Sequence, residues 1–348
     1  MSYSIFADPI DTLFFRDGSP FNAGESPYLE SIFPPSPHTG FGFSRAVVLI
    51  LMCKNLDTYI KGGCNGCEFQ EDCPITDAVG DPSKRDGTLS VKGLYLFGEE
   101  RFFPAPRDLV VEKDVSSPKE ATPAYVPNTP VQSDLGHVRL PSAKEGSQFL
   151  DDVGDHLVPE SVLGRYLQNE PIDYSQLKRL RNDESEKKPM IYGEGRTGIA
   201  VNESTGASLE KHLYSIEMIR LRKGMQLWSG ISGLKKGIDL PTKTTTARLG
   251  GESKRVRVNL AEGLDLAEPS ITDEIASSGR LKIMLLQHAD FDGQWYPPCM
   301  TRKEGDENVS WDGEVNGVQM TLVSAMTGKP VYFGGWDTAK GRPRPLEP

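Results

Sequence analysis

Four of the chain's five cysteines, Cys53, Cys64, Cys67 and Cys73, lie within one short stretch in the spacing C-x10-C-x2-C-x5-C. Soft donors bunched this closely constrain the fold strongly, because one ion shared by all of them forces the end of an upstream helix and the loop after it to meet at a point. The C-x2-C pair lets two thiolates from one tight turn reach the same ion, and Gly66 can take the positive φ that such a turn demands. A tetrahedral four-sulfur site suits Zn²⁺. The Cys73–Pro74 step at the last ligand equally suits an iron–sulfur cluster, which also takes four thiolates. Zinc held by four thiolates has no open position, so such a site is structural rather than catalytic. The plain alternative leaves Cys53 as a buried helix residue and the other three thiols without a common task.

Bunched cysteines argue against a secreted disulfide framework and for a metal site in a reducing compartment. The longest apolar run, near residues 44–53, is far short of the ~20 residues that a membrane span requires, and the N-terminus lacks a signal-peptide layout. The expectation is a cytoplasmic protein with no membrane association. With Gly 35 and Pro 26 in 348 residues, short strands and long connections are predicted, and the length favours two domains.

The formal net charge of −10 excludes a surface that binds nucleic acid everywhere, but it admits a local basic groove. Residues 243–257 hold Lys243, Arg248, Lys254, Arg255 and Arg257 against Glu252, a local excess of 5 − 1 = +4. Residues 145–186 are mostly acidic.

Along the chain, "SYSIFA" reads as a first strand and "TLFFRDG", closed by Gly18, as a short extended piece. From about Thr39 to Asn55 the apolar spacing is helical, with Ser36 or Thr39 as cap. "LSVKGLYLFGEERFFPAPRDLVVEK" predicts two strands with a turn at Gly98–Glu100. Residues 114–190 read as an irregular insertion with one helix near 159–168. "TGIAVN", "HLYSIEMIRLRKGMQLWSGISG", "KRVRVNLAE", "RLKIMLLQHAD" and "VQMTLVSAM" all read as strands or short helices.

Several stretches suit a phosphate backbone. In "FPPSPHTGFGFSR", Gly40 and Gly42 would let a phosphate approach a helix N-terminus, with Ser36, Thr39 and Arg45 adding contacts; an ordinary capped helix explains the same residues. His38 in that stretch can serve as a general base beside a phosphodiester, or be a surface histidine, since His137, His156, His212 and His288 complete no acid–base pattern with it. In "LGGESKRVRV" a Gly250–Gly251 turn beside Lys254 would let a nucleic-acid backbone pass close, with Arg255 and Arg257 on one strand face. A hairpin with a solvated basic face reads the same way. "YGEGRTGIAVN" lacks the spacing of a dinucleotide fingerprint.

Taken together, "DTLFFRDGSPFNAGE", "SIFPPSPHTGFGFSRA", "GRTGIAVNESTGASLEKHLYSIEMIRLRKG", "LGGESKRVRV" and "YFGGWDTAKGRPRP" resemble, in this order, the Cmr-module RAMP protein of type III-B CRISPR effector complexes. The resemblance implies an α+β fold of two ferredoxin-like (RRM-like) units packed together, with glycine-rich loops and a long insertion. Residues 1–190 would form the first unit, carrying the metal loop 53–77 and the insertion 114–190; residues 191–348 would form the second.

It implies a non-catalytic RNA-binding subunit that holds the 5′ repeat-derived tag of the crRNA. Such a subunit bridges the large polymerase/cyclase-like subunit to the backbone RAMP subunits and meets target RNA only indirectly. Carried across position by position, the RNA-binding residues are Arg16, Ser36, His38, Thr39, Gly40, Arg45, Arg196, Thr197, Gly250, Gly251, Lys254 and Arg255, and Gly334, Gly335 and Trp336 match the terminal motif. The family pattern runs into a further strand after "GGWD", where this chain has "RPLEP", and it does not require the cysteines. Two other functions stand beside this one: a RAMP-type crRNA-processing endoribonuclease with His38 as general base, and a redox enzyme centred on the cysteines.

Overall fold

The computed structural model describes residues 2–16, 28–82, 87–112, 118–134, 136–142, 150–181, 188–202, 204–263, 272–304, 309–337 and 342–347. It is a mixed α and β chain in which strands predominate and helices are few. Its centre is an eight-stranded antiparallel sheet in the spatial order Lys178–Arg179, His156–Pro159, Arg101–Pro104, Ser90–Phe97, Gln226–Ser232, Tyr3–Pro9, Arg255–Glu262 and Thr245–Arg248. Strands from both sides of residue 190 therefore share one sheet, and the first strand of the chain lies between two strands from beyond that position.

Alternation of side chains sorts this sheet into two faces. Tyr3, Ile5, Ala7, Leu94, Leu96, Leu227, Ile231, Val256 and Val258 point into the main core, where they meet Phe43, Val47, Val48 and Leu51 of the helix Pro37–Met52. The helix starts where the sequence predicts, with Ser36 Oγ accepting from Thr39 N–H at 3.2 Å and Pro37 at its first position. Ser44, buried on the same helix face, meets Ser229 of the sheet Oγ to Oγ at 2.9 Å.

The opposite face is aromatic: Tyr95, Phe103 and Trp228 pack together with Phe6, Phe97, Leu163 and Leu286. Trp228 Nε1–H donates to Ser4 Oγ at 2.8 Å, and the Arg101 guanidinium lies 4.6 Å over the indole. Arg101 is held there by Glu160 at 2.6 Å, so the indole's polar edge and π face both have partners.

The helix Glu160–Leu167 agrees with the sequence. Residues 114–190 are more regular than expected, because His156–Pro159 and Lys178–Arg179 form one edge of the central sheet. A four-stranded sheet of Ile172–Asp173, Glu120–Pro123, Leu109–Glu112 and Leu150–Asp152 packs beside them. "RLKIMLLQHAD" forms neither strand nor helix. Its alternation is nonetheless used: Met284 and Leu286 pack against apolar clusters, while Leu281, Ile283 and Leu285 are exposed. The Gly18 turn and the rest of residues 17–25 lie outside the described residues.

Beyond the core, Ile191–Val201 and Ser208–Leu221 form a long hairpin. Met300–Glu304, Val309–Val315 and Val318–Leu322 make a small sheet, and Phe333–Asp337 pairs with Arg342–Glu347. Among the described residues no helix is long and apolar enough to cross a membrane.

The aromatic face gives a direct stability test. Trp228→Ala is expected to lower unfolding free energy by about 3–5 kcal/mol in urea titrations. Ile10→Ala, at a position 59% exposed, should stay within about 0.5 kcal/mol of the wild type. A Trp228→Ala loss no larger than the control's would contradict the packing described.

Candidate nucleic-acid interface

Leaving the first strand, residues Asp11–Phe15 cross three segments that are remote in sequence. Ile10 N–H donates to the Arg255 carbonyl at 3.2 Å, and the Phe14 carbonyl accepts from Gly251 N–H at 2.8 Å. Leu13 exchanges two 2.8 Å backbone bonds with Ile219 of the long hairpin. Phe15 N–H donates to Ser31 Oγ at 3.3 Å, and Ile32 N–H donates back to the Phe15 carbonyl at 2.9 Å.

Gly250 is required for this crossing. Its φ is +79°, and a Cβ there would stand 2.3 Å from the Phe14 carbonyl oxygen. The glycines read as passages for a nucleic-acid backbone thus first admit the protein's own chain.

Side chains converge on the same point. Asp11 accepts from Arg196 at 2.8 Å and from Arg220 at 2.9 Å. Glu194 accepts from Arg196 at 2.9 Å and from Arg220 at 2.8 Å, which closes a ring of two arginines and two carboxylates. Lys254 Nζ donates to the buried Thr12 hydroxyl at 3.1 Å and stands 3.7 Å from Asp11.

The bonds from Arg196 and then Arg220 hold the Asp11 carboxyl well below the usual carboxylate range, and Arg220 followed by Arg196 lowers Glu194. Counting Arg196, Arg220 and Lys254 against Asp11 and Glu194 leaves 3 − 2 = +1. The arginines are 40% and 45% exposed, so the ring is open to an anion from solvent.

A second group adjoins it. Arg181 donates to Glu217 at 2.8 Å, to Glu30 and to the Ser31 carbonyl, and Tyr28 donates to Glu217 at 2.9 Å. Further out, Thr197 meets Ser215 across the hairpin at 3.3 Å. Gly198 makes room for the Tyr214 ring, which a Cβ would meet at 2.3 Å. Ile199, Val201 and Leu213 are exposed towards the hairpin's end.

The structure thus gathers Arg196, Gly250, Gly251 and Lys254 around Asp11, with Thr197 farther along the hairpin. Arg16 bridges to Ser31 on the margin, and Arg255 is exposed on its strand. The helix N-terminus is engaged differently. Ser36 and Thr39 bond one another at 3.0 Å, and Gly40 faces Gly93 and Leu94 of the sheet. Arg45 donates to the Asp81 and Pro82 carbonyls at 3.2 and 3.1 Å.

His38 lies in the helix's first turn. His156 is buried with Tyr174, His137 lies in a small hairpin and His288 packs on Phe333, so these described histidines are dispersed. Backbone pairing places Gly334, Gly335 and Trp336 in the terminal hairpin.

Sequence reasoning missed Asp11, Glu194 and Arg220. A signal was present, since Glu194 and Arg196 are two apart on one strand and Arg220 is a diagonal neighbour of Glu194 across the hairpin, the period-two arrangement of cross-strand pairs.

The four bunched cysteines line one cavity, together with Lys54, Tyr59, Phe69 and Asp72. Burial raises the Cys53 and Cys64 thiols above their ordinary values. Among the described residues no three His, Cys, Asp or Glu side chains stand close enough together to hold a metal ion as they are.

Asp11→Asn tests the electrostatic ring. Because the folded state depresses the Asp11 pKa, its stabilisation is present at neutral pH and is lost as pH falls below the ordinary carboxylate range. Thermal melts should show a small loss of Tm for Asp11→Asn near pH 7 that shrinks in acid. A difference that grows in acid would contradict the assignment.

A family model for CRISPR-associated protein (Cas_Cmr3) matches residues 5–348. Among solved structures, the chain is similar to one in a cryo-EM structure of the Type III-B Cmr-beta bound to cognate target RNA and AMPPnP (state 1). The identity is 14% over 79% of this chain and 73% of that one, with a TM-score of 0.39. A chain from Type III-B Cmr-beta bound to cognate target RNA is 14% identical over 80% and 74%, TM-score 0.38. One from the apo state is 10% identical over 75% and 98%, TM-score 0.34. No curated protein matches.

Proposed function

The chain belongs to the CRISPR-associated protein (Cas_Cmr3) family, and from that premise we propose that it is an RNA-binding subunit of a type III-B CRISPR effector complex, holding the 5′ repeat-derived tag of the crRNA without catalysing a reaction. The observation that carries the reading is the crossing at Asp11–Phe15, which gathers the glycine-rich hairpin and the Gly250–Lys254 loop into one solvent-open cluster of basic side chains.

Single-stranded RNA is held by such clusters through its phosphates, while splayed bases pack on apolar and aromatic side chains. Arg196 and Arg220 present guanidinium groups already oriented by carboxylates, and arginine forks match phosphate geometry. Ile199, Val201 and Leu213 supply apolar surface farther along the hairpin.

The same proposal keeps two ferredoxin-like units, sharing the central sheet at the strand Tyr3–Pro9. It assigns the acidic remainder of the surface to protein partners, namely the large polymerase/cyclase-like subunit and the first backbone RAMP subunit. Target RNA is met only through the guide.

In the reconstituted complex, Arg196→Ala with Lys254→Ala is expected to weaken binding of a 5′-tag RNA. It should also reduce the slope of log K against log salt by about 0.7 for each phosphate that is no longer neutralised. Unchanged affinity and slope would reject the site.

Purified protein incubated with repeat RNA is expected to leave it intact. Metal-independent cleavage that disappears in His38→Ala would instead establish the endoribonuclease reading.

A further inference from the structure

The cysteine cluster is not absorbed by RNA binding, and the fold sets its four members around one cavity. Cys53 ends the long helix, its N–H bonded to the Leu49 carbonyl at 2.8 Å. A turn with Cys67 N–H on the Cys64 carbonyl at 3.0 Å supplies the next two thiols, and a further turn at Gln70 supplies Cys73. Cys53, Cys64 and Cys73 each pack against the main core. The fifth cysteine, Cys299, is exposed elsewhere.

We propose that Cys53, Cys64, Cys67 and Cys73 bind one Zn²⁺ as a structural clasp that fastens residues 53–82 to the end of the helix Pro37–Met52. The donor set fits the ion: four soft ligands, two of them from a C-x2-C turn in which Gly66 has φ +79°. The cavity they line, about 30 Å³, leaves room for an ion among the four sulfurs. Binding exchanges four S–H bonds for four Zn–S bonds and releases four protons to solvent, with no change of oxidation state. Four thiolates around one dication leave a charge of 2−, and Lys54 on the cavity wall offsets part of it while Asp72 opposes.

The clasp has a definite load. Directly after Cys73 the chain buries Ile75, Ala78 and Val79 in the core, and Asp81 and Pro82 accept from Arg45 on the same helix. Tyr59 and Ile75 are already held in the core, and the ion would add a fastening to the turns between them.

Elemental analysis of the full-length protein, purified without chelator, is expected to find about one zinc per chain. That zinc should be retained in Cys299→Ser and lost in Cys64→Ser/Cys67→Ser, which should also melt at lower temperature. A readout on the wild type covers the case in which the double variant fails to fold: exchange with Co²⁺ should give the intense visible bands of tetrahedral thiolate cobalt. Wild-type protein that carries no metal and gives no such bands would overturn the proposal. Iron with acid-labile sulfide, or two disulfides among the four residues in freshly purified protein, would also overturn it.

Discussion

The 2.8 Å bond from Gly251 N–H to the Phe14 carbonyl fixes where everything else in the interface can stand. It places the Asp11–Phe15 crossing directly on the basic loop, and this approach is open only because Gly250 carries no side chain. With that crossing in place, Leu13 can dock the long hairpin through Ile219 and Phe15 can reach Ser31. Three segments, at Ser31–Ile32, Ile219 and Gly251, then share one short piece of backbone.

Electrostatics follow from this geometry. Asp11 sits where two hairpin arginines and Lys254 converge, and with Glu194 it neutralises most of their charge. The carboxylates orient the guanidinium groups before any ligand arrives, which lowers the ordering cost of binding. Because these side chains are roughly half exposed, the ion pairs add little to stability. On the proposed reading their value lies in presentation: a phosphate meets arginines already in position. A chain with net charge −10 can hold RNA in this way, since the excess needed is local.

Local signals in the sequence were legible where one element decides the outcome. The Ser36–Pro37 start of the main helix, the helix at Glu160–Leu167 and the turn after Phe97 all follow from capping, apolar spacing and turn residues. Non-local consequences were not legible. His156–Pro159 looked like part of an irregular insertion because its partner strand, Arg101–Pro104, lies more than fifty residues upstream. "RLKIMLLQHAD" alternates as a strand does, yet it uses the alternation to seat Met284 and Leu286 on apolar clusters. The basic residues Arg196 and Lys254 could be picked out, and Glu194 carried a cross-strand signal, but Asp11 did not, since it meets them only after the crossing has formed.

That RNA lies on the cluster around Asp11 is the central claim, and photo-crosslinking tests it most directly. The assembled complex would carry a guide with photoreactive nucleotides in its 5′ tag, and the crosslinked peptides would be identified by mass spectrometry. Crosslinks are predicted in the hairpin around residues 193–220 and in the loop 249–255. Tag crosslinks confined to other parts of this chain, or to other subunits alone, would contradict it.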